Sequence, residues 1–188
     1  RRESADVHRE LGWEPLVLRP KEALALMNGT AVMTGLACLA FARADYLLRL
    51  ATRITALNVV ALQGNPEHFD ERLFAAKPHP GQMQVAAWLR QDLAIDAPTA
   101  PLHRLQDRYS LRCAPHVLGV LADSLNWLRG FIETELNSAN DNPIIDAEAE
   151  RVLHGGHFYG GHIAFALSLL NISEPTRLRR ISFAGFCL

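Results

Sequence analysis

Gln106-Asp-Arg-Tyr-Ser-Leu-Arg112 sets an amide, a phenol and two guanidiniums within seven residues. That is a dense group of directional hydrogen-bond donors where a loop meets a helix. If the helix begins at Leu111, Arg112 occupies its first turn, where the helix dipole disfavours a cation unless an anion lies close. A substrate carboxylate answers that need, because the guanidinium is a planar fork of matching geometry. An ion pair with Asp107 or Asp123 answers it too, and on composition alone is the commoner arrangement.

His154-Gly-Gly-His157-Phe-Tyr-Gly-Gly-His162 brings three imidazoles into nine residues, a pattern that invites zinc. The spacing argues against it. Histidine pairs that bind metal from a helix stand four apart on one face, whereas four glycines interrupt this segment and neither a thiolate nor a carboxylate is near. No metal is expected. The glycines do not form a phosphate loop either, since no Lys or Ser/Thr follows in the P-loop arrangement and no strand with the dinucleotide fingerprint precedes. Close approach of the backbone to a ligand or a neighbouring chain suits them better. Asn28-Gly29-Thr30 reads as a helix cap, and Asn137-Ser-Ala-Asn-Asp-Asn142-Pro143 as an Asx-rich turn.

These segments join helices. Leu36, Leu39, Leu47, Leu50, Ile54, Leu57 and Ala61 recur at helical intervals and predict one long helix over about 30–62, ended by Gly64-Asn65-Pro66. A loop with Pro66, Pro78 and Pro80 follows. Gln82 to Leu93 reads as a shorter helix stopped by Ala97-Pro98. From Leu111 to Leu136 the seam Val117, Leu121, Leu125, Leu128, Ile132, Leu136 is the cleanest amphipathic stripe, expected to face the core. Ile144-Ile145 and Val152-Leu153 predict short extended pieces, and a last helix starts near His162. The class is mainly α, with long helices suited to a bundle.

Composition excludes several functions. The 188 residues are 49% hydrophobic and 21% charged, with 19 basic against 20 acidic side chains, so no global field draws the chain onto nucleic acid or anionic lipid. Cys38, Cys113 and Cys187 show no CxxC spacing, which fits a reducing compartment and a cytoplasmic location. The most apolar run, Thr30 to Ala42, falls short of the roughly 20 residues that span a bilayer. No membrane association is expected.

Four ordered blocks, Pro20-Lys-Glu-Ala-Leu-Ala-Leu-Met-Asn-Gly-Thr30, His79-Pro-Gly-Gln82, Gln106-Asp-Arg-Tyr-Ser-Leu-Arg-Cys113, and Asn137-Ser-Ala-Asn-Asp-Asn-Pro143 continuing into His154-Gly-Gly-His-Phe158, resemble the aromatic amino acid ammonia-lyase family. The resemblance runs from about Leu11 to about Leu167. It implies the central part of a fumarase/aspartase-like long-helix subunit over residues 1–168, with 169–188 a tail that departs from the pattern. It further implies a homotetramer and loss of ammonia from an aromatic L-amino acid through a 4-methylidene-imidazol-5-one (MIO) electrophile. By resemblance, Asn28 and Gln106 contact that prosthetic group and Gln106 also contacts the substrate. Tyr109 is the catalytic residue at the reacting centre, Arg112 and Asn142 bind the substrate carboxylate, and Phe158 walls the pocket.

The departures are specific. The Ala-Ser-Gly from which the electrophile forms is not in this chain, the family's first-block glycine is Ala23, and its Asn before the pocket phenylalanine is His157. The wording of the blocks is closer to phenylalanine and tyrosine enzymes, although Ser-Leu-Arg-Cys is shared with histidine enzymes. A 2,3-aminomutase using the same group is the alternative enzyme. A helical fragment inactive by itself is the non-enzyme reading.

Overall fold

The computed structural model describes residues 2–94 and 105–173, the side chains of 171–173 excepted. Ala97-Pro98, Cys187 and the end of the expected tail lie outside these residues. The chain divides into two compact units, Arg1–Val32 with Ala139–Tyr159, and Met33–Ser138 with Gly160–Leu188.

The first unit holds α1 (Ser4–Leu11), α2 (Glu22–Asn28) and a two-stranded antiparallel hairpin of β1 (Ile144–Asp146) and β2 (Arg151–Leu153), with Ile145 opposite Val152. Its strands fall where Ile144-Ile145 and Val152-Leu153 predict short extended pieces. Neither helix carries a buried residue, so neither has a core stripe to read.

The second unit is built around α3 (Ala31–Ala61), which matches its expected limits. Gln63 takes a left-handed conformation with φ 49°, and the Gly64 N–H donates back to the Val59 carbonyl at 2.8 Å, closing the helix as a C-terminal glycine motif does. The predicted loop then contains order: a 3₁₀ helix (Pro66–Phe69) and α4 (Glu71–Ala75). Asn65 Oδ1 and Asp70 Oδ1 cap these by accepting from the N–H groups of Glu67 and Arg72, both at 2.8 Å, and Phe69 and Phe74 anchor them in the interior. α5 (Pro80–Asp92) begins two residues before Gln82, because proline suits the first helical position.

The Leu111–Leu136 helix is two helices, α6 (Tyr109–Arg112) and α7 (Ala114–Leu136). Pro115 explains the break, since its ring conflicts with the carbonyl four residues back and it has no N–H to donate. Along α7, Leu121, Leu125, Leu128 and Ile132 are buried as expected. Val117 and Leu136 are not: they are 50% and 58% exposed, and Leu118 is buried where Val117 was expected. α7 packs on α5 and on α8 (Gly161–Ser173), which begins one residue before His162.

α3 departs furthest from its pattern. Its buried positions are Thr34, Ala37, Leu48, Thr52, Ala56 and Val59, while Leu36, Leu39, Leu50, Ile54 and Leu57 are exposed. The helix is apolar on more than one side, so periodicity could not choose the buried side. Thr52 is accommodated inside because its hydroxyl donates to the Leu48 carbonyl at 2.9 Å. By length and composition α3 also suffices to cross a membrane, with an 18-residue window of mean hydropathy 1.4, contrary to the count from the unbroken run alone. Four charged residues, Arg43, Asp45, Arg49 and Arg53, interrupt it, and Leu48, Ala56 and Val59 join the core formed with α5 and α7.

Candidate functional site

α6 places Tyr109 and Arg112 at the two ends of one helical turn. The Arg112 guanidinium lies 5.7 Å from the Tyr109 ring centre, a cation–π arrangement that fixes the two side chains together. Arg112 ends this short turn instead of opening the long helix, so the dipole argument for an anion does not apply. A better argument replaces it. Arg112 Nε is buried without a hydrogen-bond partner, and the neighbouring Nη1 reaches only the Cys113 sulfur, at 3.6 Å.

Both carboxylates set against the substrate reading are engaged elsewhere. Asp107 Oδ2 accepts the Asn65 N–H at 2.5 Å, and Asp123 Oδ1 accepts the Gly81 N–H at 2.7 Å, capping α5. Among the described residues Arg112 makes no ion pair. A buried guanidinium N–H without an acceptor is costly, and an entering carboxylate would relieve it.

His116 stands one turn further along, with its ring 5.1 Å from that of Phe74 and its Nδ1 buried without a partner. Burial, then the charges of Lys77 and Arg112, push this imidazole below its ordinary value. It therefore stays neutral beside the arginine. Spacing alone does not mark His116, since a histidine on a helix is usually packing.

Gln106 is exposed three residues before Tyr109. Asp107 anchors that approach: its N–H donates to His68 Nε2 at 3.0 Å, in addition to the bond from Asn65. His68 and Asn65 were not among the residues singled out, because nothing local in the sequence links them to a segment some 40 positions away.

In the other unit, Asn28 ends α2 and is exposed. Asn142 Oδ1 accepts the Gly155 N–H at 2.8 Å, which leaves its Nδ2 to donate elsewhere and ties the Asx turn to the glycine segment. Phe158 follows in that segment, 47% exposed. Lys21, from the first sequence block, secures the turn: Nζ donates to the Pro143 carbonyl at 2.6 Å and pairs with Asp141 at 2.9 Å. The lysine hydrogen bond, with the Asn142 N–H, holds the Asp141 carboxyl below its usual range. Thus Gln106, Tyr109 and Arg112 are grouped in one unit, and Asn28, Asn142 and Phe158 in the other. Among the described residues, no three of His, Cys, Asp and Glu gather as a metal would require.

A mainly helical protein with an underpartnered guanidinium beside a phenol is equipped to hold an organic carboxylate. The family model described as aromatic amino acid lyase matches residues 1–183, and the chain belongs to that family. It is 42% identical to the histidine ammonia-lyase of Mus musculus over 168 residues, 86% of this chain and 26% of that protein. It is 41% identical to the tyrosine 2,3-aminomutase of Chondromyces crocatus, covering 92% of this chain and 36% of the relative. The solved structure of Pantoea agglomerans phenylalanine aminomutase superposes with a TM-score of 0.77 at 34% identity, over 90% of this chain and 37% of that one. The chain therefore spans about a quarter to a third of the length of these relatives, and its fold is of their helical ammonia-lyase class.

Proposed function

We propose that this chain is the central part of an ammonia-lyase subunit that eliminates ammonia from an aromatic L-amino acid. The carrying observation is Arg112, whose buried Nε lacks an acceptor while Asp107 and Asp123 are committed to backbone N–H groups. In this reading the roles are carried over from the family's motif blocks, Arg112 and Asn142 as ligands of a substrate carboxylate and Gln106 and Phe158 as substrate contacts, in an oligomer whose several subunits complete each site. Tyr109, held against Arg112, presents its phenol to the reacting centre. The Cα–N bond breaks, a proton leaves the adjacent carbon, and the products are ammonium and the α,β-unsaturated acid.

MIO, formed from an Ala-Ser-Gly outside this chain, supplies an electron-withdrawing electrophile when bound. The chemistry of Asn28 and Gln106 fits such a group. Both amides are exposed and make no side-chain hydrogen bond to another described residue, so each offers a donor and an acceptor to a small polar heterocycle. No metal enters this reading.

Phenylalanine or tyrosine is favoured by the wording of the motif blocks, whereas identity to a histidine ammonia-lyase favours histidine. An aminomutase would instead return ammonia to the neighbouring carbon, a reading supported by likeness to the two aminomutases. The exposed apolar side chains of α3, Leu36, Leu39 and Leu57 among them, support association with further protein; the homotetramer and the cytoplasmic location rest on the family resemblance. The fragment acting alone is expected to be inactive.

The test is a chimaera in which this chain replaces the matching segment of the Mus musculus enzyme, supplied separately with phenylalanine, tyrosine and histidine. Release of ammonium with an unsaturated acid supports the lyase, and a β-amino acid identifies the aminomutase. A folded tetramer that acts on none of the three refutes the assignment.

A further inference from the structure

The segment carrying Gln106 and Tyr109 is tethered at Asp107, the first of the two residues between them. The Asp107 N–H donates to His68 Nε2 at 3.0 Å, and Asp107 Oδ2 accepts the Asn65 N–H at 2.5 Å. These side chains are secluded, His68 being 15% and Asp107 9% exposed. Gly64 passes so close that an added Cβ would stand 2.9 Å from Asp107 Oδ2, leaving the carboxylate little room to shift.

The direction of the first bond matters. A backbone N–H can donate to an imidazole nitrogen only while that nitrogen keeps its lone pair, so this bond requires His68 Nε2 to carry no proton. Protonation places a hydrogen on Nε2 and removes the acceptor. Nε2 also lies 3.7 Å from Asp107 Oδ2, so a charged ring can exchange the amide of Asp107 for the carboxylate of the same residue. That exchange releases the peptide joining Gln106 to Asp107.

We propose that His68 is a positioning residue for the Gln106–Tyr109 segment, holding it in place through its neutral imidazole and loosening it on protonation. The catalytic meaning of the tether rests on the function proposed above, whereas the tether itself does not. Asp107 Oδ2, 3.7 Å from Nε2, is the charged group set against the imidazole. Arg108 follows it in the chain, and Glu67 and Asp70 lie on the stretch of His68, with Asp70 paired to Arg72 on α4. Arg90 on α5 adds another, its Nη1 donating to the neighbouring Phe69 carbonyl at 2.7 Å. Of these, only Asp107 supplies groups that recognise both ring states.

Hydrogen exchange read by mass spectrometry on the 188-residue chain tests the proposal. Wild type, His68→Gln and His68→Phe are compared at about pH 5 and about pH 8, after correction for intrinsic exchange. At the higher pH the wild-type peptide covering 105–111 is expected to be protected. At the lower pH it should exchange about three- to tenfold faster, the range that one net hydrogen bond can supply, with α7 peptides unchanged.

His68→Phe should lose the protection at both values. His68→Gln should keep it at both, because an amide oxygen accepts the same N–H and does not titrate. Equal exchange in His68→Phe and wild type at the higher pH overturns the proposal, as does wild-type protection that ignores pH. If His68→Phe unfolds, seen as lost protection in α7, the comparison of wild type with His68→Gln at the lower pH decides, and equal exchange overturns it. In the chimaera, a pH-dependent kcat that His68→Gln abolishes extends the tether to catalysis. Altered exchange with no effect on turnover would leave the tether standing and count against Gln106 and Tyr109 as site residues.

Discussion

Gly119→Ala in α7 should destabilise the protein, although alanine is the better helix former. The reason is the seam between α5 and α7, where two glycines meet. A Cβ at Gly119 would stand 2.6 Å from Gln82 N and 2.7 Å from its Cα, some 0.8 Å inside the 3.4 Å at which ordinary contact begins. The obstacle is backbone, so it cannot rotate away, and Gly81 beside it is pinned by its bond to Asp123. Overpacking of this kind costs about 1–3 kcal/mol, here at the upper end, against a gain of about 1 kcal/mol from replacing a helical glycine. The net expectation is a loss of about 2 kcal/mol, or about 4–8 °C in Tm for a chain of this size. Gly130, in the same helix, has nothing within 4 Å. Gly130→Ala should therefore show the propensity gain alone, raising stability by about 0.5–1 kcal/mol. Thermal melts of both variants with wild type measure the difference. A Gly119→Ala protein as stable as Gly130→Ala would refute the close-packing argument.

Other perturbations separate the site from its support. In the chimaera, Arg112→Lys keeps the charge but loses the bidentate fork, so kcat/KM should fall while folding is little changed. Arg112→Ala should cost more, on the order of 2 to 5 kcal/mol. Tyr109→Phe should instead lower kcat with less effect on KM, and unchanged kinetics in both arginine variants would make Arg112 structural. Because His116 is pushed down in the fold, the unfolded chain binds the extra proton first as pH falls. Its contribution is thus complete above about 6.5 and declines below that towards the depressed folded value. Urea midpoints between about pH 5 and about pH 7.5 should show this slope, and His116→Gln should remove it; an identical slope in the variant contradicts the assignment. Lys21→Met should return the Asp141 titration, followed by carboxyl carbon NMR, upward towards its ordinary 3.8. An unmoved midpoint would mean that Lys21 does not hold the turn.

Much of the secondary structure was legible. The limits of α3 and the extended pieces at Ile144-Ile145 and Val152-Leu153 follow from periodicity and local turn chemistry, which act within a few residues. The break at Cys113 was also available, since Pro115 is a local signal, but a regular leucine seam running through it masked the interruption. Burial was less legible. Steps of three and four define a stripe but not its partner, so Val117 faced outward while Leu118 turned in, and α3 buried Thr34, Ala37, Thr52 and Ala56 while Leu36, Leu39 and Leu57 of its stripe stayed exposed.

The site divides along the same line. By itself the sequence determined which chemical groups are present: the fork of Arg112, the phenol of Tyr109, the amides of Asn28, Gln106 and Asn142, and the ring of Phe158. Their types and order in the chain carried the family resemblance. Tertiary structure alone decided which groups were already satisfied. It committed Asp107 and Asp123 to backbone donors, left Arg112 Nε without an acceptor, and set His68 against Asp107 and Lys21 against Asp141 across long stretches of chain. A hydrogen bond depends on a few tenths of an ångström and on a lone pair facing a proton. Sequence spacing encodes neither once the partners belong to different elements.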